Sequence, residues 1–210
     1  MKKEILDSES KKWNAVYEAT EPENLPWFGH SFPNEVEDYL KSLDPNDMIF
    51  VTGCGVGDIA KTLSVKGFTQ IIGTDISLSA INKAKSRFPG IAFETIATEE
   101  ISLREKFRNV NVLDWLNLHQ VKDIDEYLQS LGILAKNLCI VWIADSKDKS
   151  SAKSYVHSGN VYYHDASKVR VILESQGLIL KSDFSFSFSS NPNAKVIRQH
   201  TAIGQIYERR

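Results

Sequence analysis

Two short apolar segments with a glycine loop between them constrain the fold of this chain more than any other feature. The first segment, Met48–Thr52, runs into Gly53-Cys54-Gly55-Val56-Gly57, and a segment of helical character follows. The second apolar segment, Gln70–Asp75, ends in an aspartate. A strand, a tight glycine turn, a crossover helix and a second strand form a βαβ unit. The pattern therefore predicts an open α/β sheet with a ligand site where its strands end.

The spacing of the glycines indicates which kind of ligand the turn accepts. Gly53, Gly55 and Gly57 alternate, whereas the dinucleotide-binding turn spaces its glycines as G-x-G-x-x-G/A. Asp58 follows at once, and its charge would repel a pyrophosphate at the start of the next helix. S-adenosylmethionine has no phosphate, and its ammonium gives such an acid a partner. The loop therefore favours S-adenosylmethionine over a dinucleotide.

Asp75 is the predicted partner of the ligand's ribose. It comes 22 residues after Gly53. A strand-end carboxylate about 20 residues beyond the glycine turn is placed to accept hydrogen bonds from ribose hydroxyls. Plainer interpretations stay open for both acids: Asp75 as a turn or helix-capping residue, and Asp58 as a favourable charge in the first helical turn.

The line VTGCGVG…IIGTDIS..AI.KAK resembles the first two motifs of the class I S-adenosylmethionine-dependent methyltransferases. It is most similar to their thiopurine and thiol methyltransferase branch. The resemblance implies S-adenosylmethionine as the cofactor. No zinc spacing is present, so we expect no metal. Ala97 stands about where that family has an aspartate near the adenine, and Asp114 falls where its fourth motif faces the methyl group. The implied cofactor-binding residues are Trp13, Gly53, Gly55, Gly57, Asp75, Ile76, Ala97, Thr98 and Asp114.

An aromatic segment near the N-terminus fits the same resemblance. Trp13 and Tyr17 are four residues apart, so they share one helix face, and Trp27 follows a proline. In the family such an arm folds over the cofactor and helps to line the acceptor pocket. The alternative is that these aromatics only pack the arm onto the body. The implied substrate-binding residues are Tyr17, Trp27, Trp115 and His119.

Hydrophobic patterns extend the βαβ unit into a full sheet. The continuous apolar run Leu138–Ala144 predicts a central strand covered on both faces. Phe184, Phe186 and Phe188 alternate with serines, as in a strand with one apolar face, and His200–Tyr207 reads as the closing strand. The predicted fold class is α/β: a Rossmann-like doubly wound sheet of seven strands, mostly parallel, with an antiparallel C-terminal hairpin and a helical N-terminal arm.

Length, charge and cysteine content bound the remaining possibilities. The chain has 210 residues, so we expect one methyltransferase domain, 1–210, with an arm at 1–45 and the Rossmann-like core at 46–210. A net charge of −2 argues against a nucleic-acid partner. No apolar run suits a membrane span, and the start of the chain lacks the apolar region of a signal peptide. Two isolated cysteines without zinc spacing fit a cytoplasmic protein.

The predicted activity is methyl transfer from S-adenosylmethionine to a small-molecule acceptor, such as a thiol or an amine. Protein lysine methylation is an alternative, because related W…Y…WFG arms occur in that branch. A non-catalytic S-adenosylmethionine-binding module is another, since Ala97 and Arg108 depart from the family pattern. A nicotinamide-dependent oxidoreductase is the remaining alternative. No catalytic residue or oligomeric state is predicted. The candidates for a base are Asp114, His119, Asp145, His157 and His164.

Overall fold

The computed structural model describes residues 2–29, 31–101, 107–115, 117–143, 162, 164–193 and 199–210. The helices are α1 Lys2–Ala19, α2 Asn34–Lys41, α3 Asp58–Val65, α4 Leu78–Arg87, α5 Thr98–Ile101, α6 Ile124–Leu134 and α7 Ala166–Glu174. Short 3₁₀ turns span Pro22–Asn24 and Leu118–Gln120. The strands are β1 Ile49–Thr52, β2 Ile71–Asp75, β3 Ala92–Thr95, β4 Val110–Trp115, β5 Ala135–Ile143, β6 Leu178–Ser189 and β7 Gln199–Arg209.

The strands of the described ranges form one sheet in the order β3-β2-β1-β4-β5-β7-β6. Strands β1 to β5 run parallel, and β7 lies antiparallel between β5 and β6. The predicted seven-stranded, mostly parallel sheet with an antiparallel C-terminal hairpin is therefore confirmed. The order reverses between β1 and β4, and in open α/β sheets ligands bind at the carboxyl ends of the strands beside such a reversal.

Both faces of the sheet are buried, which explains why its central strands are rich in apolar residues and why every residue of β1 is buried. Val51 belongs to the core on one face, together with Leu63 of α3. Its neighbour Phe50 belongs to the core on the other face, together with Leu128 of α6. Because successive side chains of a strand point to opposite faces, β1 supplies both cores at once and is held rigidly.

Three helices, α4, α6 and α7, begin at side-chain caps. Ser77 accepts a hydrogen bond from the Ala80 amide at the start of α4. Asp123 and Asp165 begin α6 and α7 in the same way. Each cap satisfies an amide that lacks a partner in the first helical turn. The sequence predicts these three caps, and the structure confirms them.

The boundaries that differ most from the prediction are the starts of α1 and β5. Helix α1 begins at Lys2, where the sequence predicts a start near residue 8. Strand β5 begins at Ala135, although the sequence favours helix to about residue 136. Ala135 pairs with Val110 of β4, so sheet pairing overrides the local helix propensity. Among the described residues, no helix is both long enough and apolar enough to cross a bilayer.

Candidate functional site

A cavity of about 500 Å³ lies beyond the carboxyl ends of β1, β2, β3 and β4. Its volume is typical of small-molecule sites, which span roughly 300–1,000 Å³. The predicted site residues that line it are Trp13, Tyr17, Trp27, Gly53, Gly55, Asp75, Ile76, Ala97, Thr98, Trp115 and His119. Gly57 and Asp114 lie outside this lining. The structure thus brings together residues from the arm and from four strand ends.

The glycine loop leaves space that side chains would fill. Gly55 has a φ of +52°, and a Cβ added to it would lie 2.8 Å from the Tyr17 hydroxyl oxygen. A Cβ on Gly53 would lie 2.6 Å from Cγ of Asn117. A Cβ on Gly57 would instead approach the rings of Phe88 and Phe93 in the core. Gly53 and Gly55 therefore shape the cavity, whereas Gly57 serves the packing behind it.

Asp75 ties the glycine loop to the helix that follows β2. Its Oδ2 accepts a hydrogen bond from the Gly55 amide at 2.9 Å, and its Oδ1 accepts one from the Ser77 amide at 2.8 Å. Burial raises the pKa of this carboxyl to about 6, and the hydrogen bonds from Ser77 and Gly55 oppose that rise. A carboxylate has about four acceptor positions, so Asp75 keeps capacity for hydroxyl donors in the cavity.

Asp58 has a partner within the protein. Its two carboxylate oxygens accept hydrogen bonds from the Arg87 guanidinium at 2.7 and 3.0 Å. Arg87 also donates to the Val56 carbonyl at 2.7 Å. This bidentate pair offsets the charge of Asp58, and the bond from Arg87 to the Val56 carbonyl stabilises the glycine loop. The structure thus favours a supporting role for Asp58 over the ammonium contact that the sequence suggests.

Three aromatic rings of the arm cover the glycine loop. The ring centroids of Trp13, Tyr17 and Trp27 lie 6.0–6.2 Å apart, and Trp27 meets the other two edge-on. Burial, reinforced by the nearby Asp75 carboxylate, raises the pKa of Tyr17 well above its ordinary value, so its hydroxyl is neutral. The arm therefore closes one side of the cavity with aromatic surface.

Polar contacts dock α1 onto the start of α4. Asn14 Oδ1 accepts hydrogen bonds from the Ser79 amide at 3.0 Å and from the Ser77 hydroxyl at 2.8 Å. Ser10 donates to the Ile76 carbonyl at 3.1 Å. These bonds fix the helix that carries Trp13 and Tyr17.

Asp114 is fully buried beneath the cavity floor. The hydroxyls of Tyr127 and Thr52 donate to its Oδ1 at 2.5 and 2.7 Å. Burial raises the pKa of Asp114 to about 6, and the hydrogen bonds that it accepts oppose the rise. The Asn117 amide nitrogen donates to the Tyr127 oxygen at 2.6 Å, and Asn117 lines the cavity.

Sequence reasoning missed Thr52, Asn117 and Tyr127. One signal for Thr52 was present, because Thr52 ends β1 and Asp114 is the last residue but one of the neighbouring parallel strand β4. The structure pairs these two positions in register. Asn117 and Tyr127 carry no comparable local pattern, since each is placed by the packing of α6 against the strand ends.

The base candidates occupy different surroundings. His119 is buried in the 3₁₀ turn and lines the cavity. His164 lies outside the cavity lining with its Nε2 2.8 Å from the Val121 carbonyl oxygen, and burial lowers its pKa. Asp145 and His157 lie outside the described residues. Of the three base candidates that the structure describes, His119 lines the cavity, and Asp114 and His164 do not.

The charged side chains of the cavity lining are mostly acidic. Apart from Asp58 and Asp75, the acids that line it are Glu9, Glu99, Asp123 and Glu126, and Lys122 is the cation of the described lining. An excess of negative charge attracts cations and disfavours anions.

Comparison with solved structures identifies the fold. A SAM-dependent methyltransferase from Anabaena variabilis has a TM-score of 0.78 at 16% identity, over 98% of this chain and 95% of that one. A protein solved for the conversion of a disulfide bond into a thioacetal group during echinomycin biosynthesis has a TM-score of 0.74 at 19% identity, over 95% and 92%. Magnesium protoporphyrin IX methyltransferase from Synechocystis, with bound SAH, has a TM-score of 0.60 at 16% identity, over 95% and 93%.

No family model and no curated protein matches the sequence. The comparison with solved structures therefore rests on the fold alone. The chain has the fold of the S-adenosylmethionine-dependent methyltransferases.

Proposed function

We propose that this chain binds S-adenosylmethionine and transfers its methyl group to a small-molecule acceptor. The observation that carries the proposal is the cavity at the sheet reversal, where Asp75, Gly53 and Gly55 share one lining. Structures with the same fold contain SAM or SAH, as in the methyltransferase from Synechocystis.

The residues of the cavity fit the chemistry of this cofactor. Asp75 is buried and keeps acceptor capacity, which suits the ribose hydroxyls. A side chain at Gly55 would occupy the space beside the Tyr17 hydroxyl, so the glycine keeps the cavity open. Ala97 and Thr98 follow β3 and line the same cavity, and we assign them to the adenine. The acidic lining suits a ligand that carries a sulfonium and an ammonium.

When bound, S-adenosylmethionine supplies an electrophilic methyl group on a positively charged sulfur. The chain's own contribution is to orient the two reactants and to exclude water. Trp13, Tyr17 and Trp27 exclude water on the arm side, and Trp115 does so from the end of β4. Catalysis by orientation needs no dedicated base when the acceptor nucleophile is already deprotonated.

The acidic lining supports a neutral or cationic acceptor. A thiol or an amine would meet no electrostatic penalty in a lining whose described acidic residues outnumber its basic ones, whereas a carboxylate or a phosphate would be disfavoured there. A lysine side chain has the same charge as a small amine, so protein lysine methylation stays the second candidate.

Calorimetric titration with S-adenosylhomocysteine tests cofactor binding. We expect micromolar affinity for the wild type and at least a tenfold loss in Asp75→Ala. Asp38→Ala, which removes an exposed carboxylate, is the matched control and should bind as the wild type does. Thermal unfolding of each variant shows whether the fold persists. A wild type that binds NAD but not S-adenosylhomocysteine would overturn the proposal.

An acceptor screen separates the remaining candidates. Thiols, small amines and lysine-containing peptides are each incubated with the cofactor and the wild-type protein, and methylated products are measured by mass. Transfer to thiols or small amines supports the proposal. Transfer to peptides alone would establish protein methylation instead, and binding without transfer across the whole panel would establish a non-catalytic module.

A further inference from the structure

Asn191, which follows the end of β6, is hydrogen-bonded to the part of the N-terminal arm that carries Trp27. This part, residues 21–29, is called the arm loop below. Asn191 is 4% exposed, and its side-chain nitrogen donates to the Glu23 carbonyl at 2.6 Å and to the Leu25 carbonyl at 3.0 Å. Its backbone amide donates to the carbonyl of residue 26 at 2.8 Å. Three carbonyls of the arm loop are therefore held by one residue from the other end of the chain.

The hydrogen bonds of the Asn191 side chain require an amide. Its Oδ1 accepts a hydrogen bond from the Asn193 backbone amide at 3.0 Å, which forms an Asx turn. The side-chain nitrogen therefore faces the arm loop, and each of its two hydrogens reaches one carbonyl. Aspartate has the same shape but no donor, and it would place a negative charge against two carbonyl oxygens. A carboxylate could keep the turn but could not hold the arm loop.

The arm loop folds on itself through turns, and its attachment to the body is made separately. The amides of Leu25 and Phe28 donate to carbonyls within the loop at 3.2 and 3.1 Å. Such turns shape a loop but do not fix where it lies. Leu25 is buried in one apolar cluster with Val56 of the glycine loop. Among the described residues, the polar attachment of the middle of the arm loop comes from Asn191.

Trp27 comes directly after the carbonyl that the Asn191 backbone binds. This carbonyl belongs to the planar peptide group between Pro26 and Trp27, so the hydrogen bond from Asn191 fixes the orientation of that plane. The indole of Trp27 meets the rings of Trp13 and Tyr17 edge-on, with centroids 6.0 and 6.2 Å away. It also lines the cavity. Asn191 is thus connected to the cavity wall through a single peptide group.

We propose that Asn191 is a positioning residue, which holds the arm loop against the body so that Trp27 closes the cavity over a bound ligand. This inference rests on the proposed function, because it takes that ligand to be the cofactor. Without the bonds from Asn191 the loop keeps its own turns but loses its polar attachment. Ligand then binds well only to the fraction of molecules whose loop is closed, and the apparent affinity falls with that fraction.

Amide hydrogen exchange in the free protein tests the attachment itself. In Asn191→Asp we expect the amides of Leu25 and Phe28 to exchange about 5- to 150-fold faster, the factor that corresponds to two ordinary hydrogen bonds. Asn193→Asp is the matched control, because it adds the same charge to the same connection at an exposed side chain. It should leave exchange in the arm loop unchanged. Asn191→Ala removes the donors without adding a charge, and thermal unfolding of each variant shows whether the fold persists.

Affinity for S-adenosylhomocysteine, measured by calorimetry, tests the role in closing the cavity. Asn191→Asp should weaken binding at least about threefold, and by no more than the factor by which exchange accelerates, since both follow the population of the closed loop. In the Trp27→Ala background, Asn191→Asp should cause no further loss, because its effect passes through Trp27. Asn193→Asp should bind as the wild type does. A merely structural role would lower the midpoint of thermal unfolding and leave affinity unchanged.

The outcomes separate this inference from the proposed function. If Asn191→Asp binds S-adenosylhomocysteine as tightly as the wild type does, the role of Asn191 is wrong and cofactor binding stands. If the wild type does not bind this ligand, the proposed function fails, and the inference fails with it. Losses that add in the cycle of Asn191→Asp and Trp27→Ala would overturn the route through Trp27. Equal acceleration of exchange in Asn193→Asp would overturn the attachment through the Asn191 amide.

Discussion

The Tyr17 hydroxyl oxygen lies directly in the path of any side chain on Gly55. A Cβ atom on Gly55 would lie 2.8 Å from this oxygen, which is shorter than a normal carbon–oxygen contact, and an ordinary 3.6 Å from Cζ of the same ring. The arm and the glycine loop are therefore fitted to each other through one hydroxyl group. This fit couples closure of the arm to the shape of the proposed cofactor site.

Replacing Gly55 with alanine should destabilise the protein more than the same replacement at Gly29. Gly55 and Gly29 both have positive φ, +52° and +73°, so alanine at either position costs about 1–2 kcal/mol of backbone strain. Only at Gly55 does the new methyl group meet Tyr17, because a Cβ at Gly29 has no described neighbour within 4 Å. Chemical denaturation should therefore show a larger loss of unfolding free energy for Gly55→Ala than for Gly29→Ala.

Removing the Tyr17 hydroxyl should relieve that extra loss. In Tyr17→Phe the nearest ring atom to the new methyl group is at van der Waals distance. Measured against Tyr17→Phe alone, the double variant Tyr17→Phe, Gly55→Ala should therefore lose about as much unfolding free energy as Gly29→Ala loses against the wild type. If Tyr17→Phe leaves the Gly55→Ala loss unchanged, the arm does not constrain the loop in solution.

Binding of S-adenosylhomocysteine should depend on pH through Asp75. Burial places the pKa of this carboxyl near 6 in the free protein. Hydroxyl donors from a ribose stabilise the ionised form, so binding lowers the pKa and releases protons around pH 5–6. Affinity should therefore weaken as pH falls below about 6, by at most tenfold per unit as expected for one proton. Calorimetry in buffers of different ionisation enthalpy measures the released proton, and Asp75→Asn should abolish it.

The local part of the site could be predicted from the sequence. Gly53, Gly55 and Asp75 lie in one βαβ unit, and the geometry of such a unit follows from the order of strand, turn and helix. The position of Asp114 at the end of β4 could also be predicted. Its surroundings could not, because they depend on the register between β1 and β4 and on where α6 packs.

The partner of Asp58 is a second feature that could not be predicted from the sequence. The first helical turn after a glycine loop suggests an acid that faces the ligand, but the structure pairs Asp58 with Arg87 at the far end of α4. This contact spans 29 residues and depends on the tertiary structure that brings the start of α3 to the end of α4. Sequence patterns describe single elements well, whereas side-chain pairs between elements are fixed only by tertiary packing.

Replacing Asp114 with asparagine should flatten the pH dependence of stability. The folded-state pKa of about 6 lies above the ordinary aspartate value of 3.8, and a difference of this size corresponds to about 3 kcal/mol. As pH rises from about 4 to 6 the unfolded chain loses this proton first, so the wild type loses stability over that window. Asp114→Asn cannot ionise and still accepts from Thr52 and Tyr127.

Thermal or urea unfolding at pH 4 and pH 8 measures this effect. Relative to the wild type, Asp114→Asn should gain stability at pH 8, by up to about 3 kcal/mol. Asp38→Asn, at an exposed carboxylate, should leave the difference between the two pH values unchanged. An Asp114→Asn profile parallel to that of the wild type would show that this carboxyl titrates normally.

Removing the side-chain carbonyl of Asn14 should loosen the arm and weaken cofactor binding together. Asn14 accepts from the Ser79 amide and the Ser77 hydroxyl, and losing such a capping acceptor costs about 1 kcal/mol. Since Trp13 and Tyr17 lie on the same helix and cover the cavity, Asn14→Ala should raise amide hydrogen exchange in α1 and reduce affinity for S-adenosylhomocysteine. Asn82→Ala, on the exposed side of α4, should change neither quantity. Faster exchange in α1 with unchanged affinity would mean that docking of the arm contributes nothing to holding the cofactor.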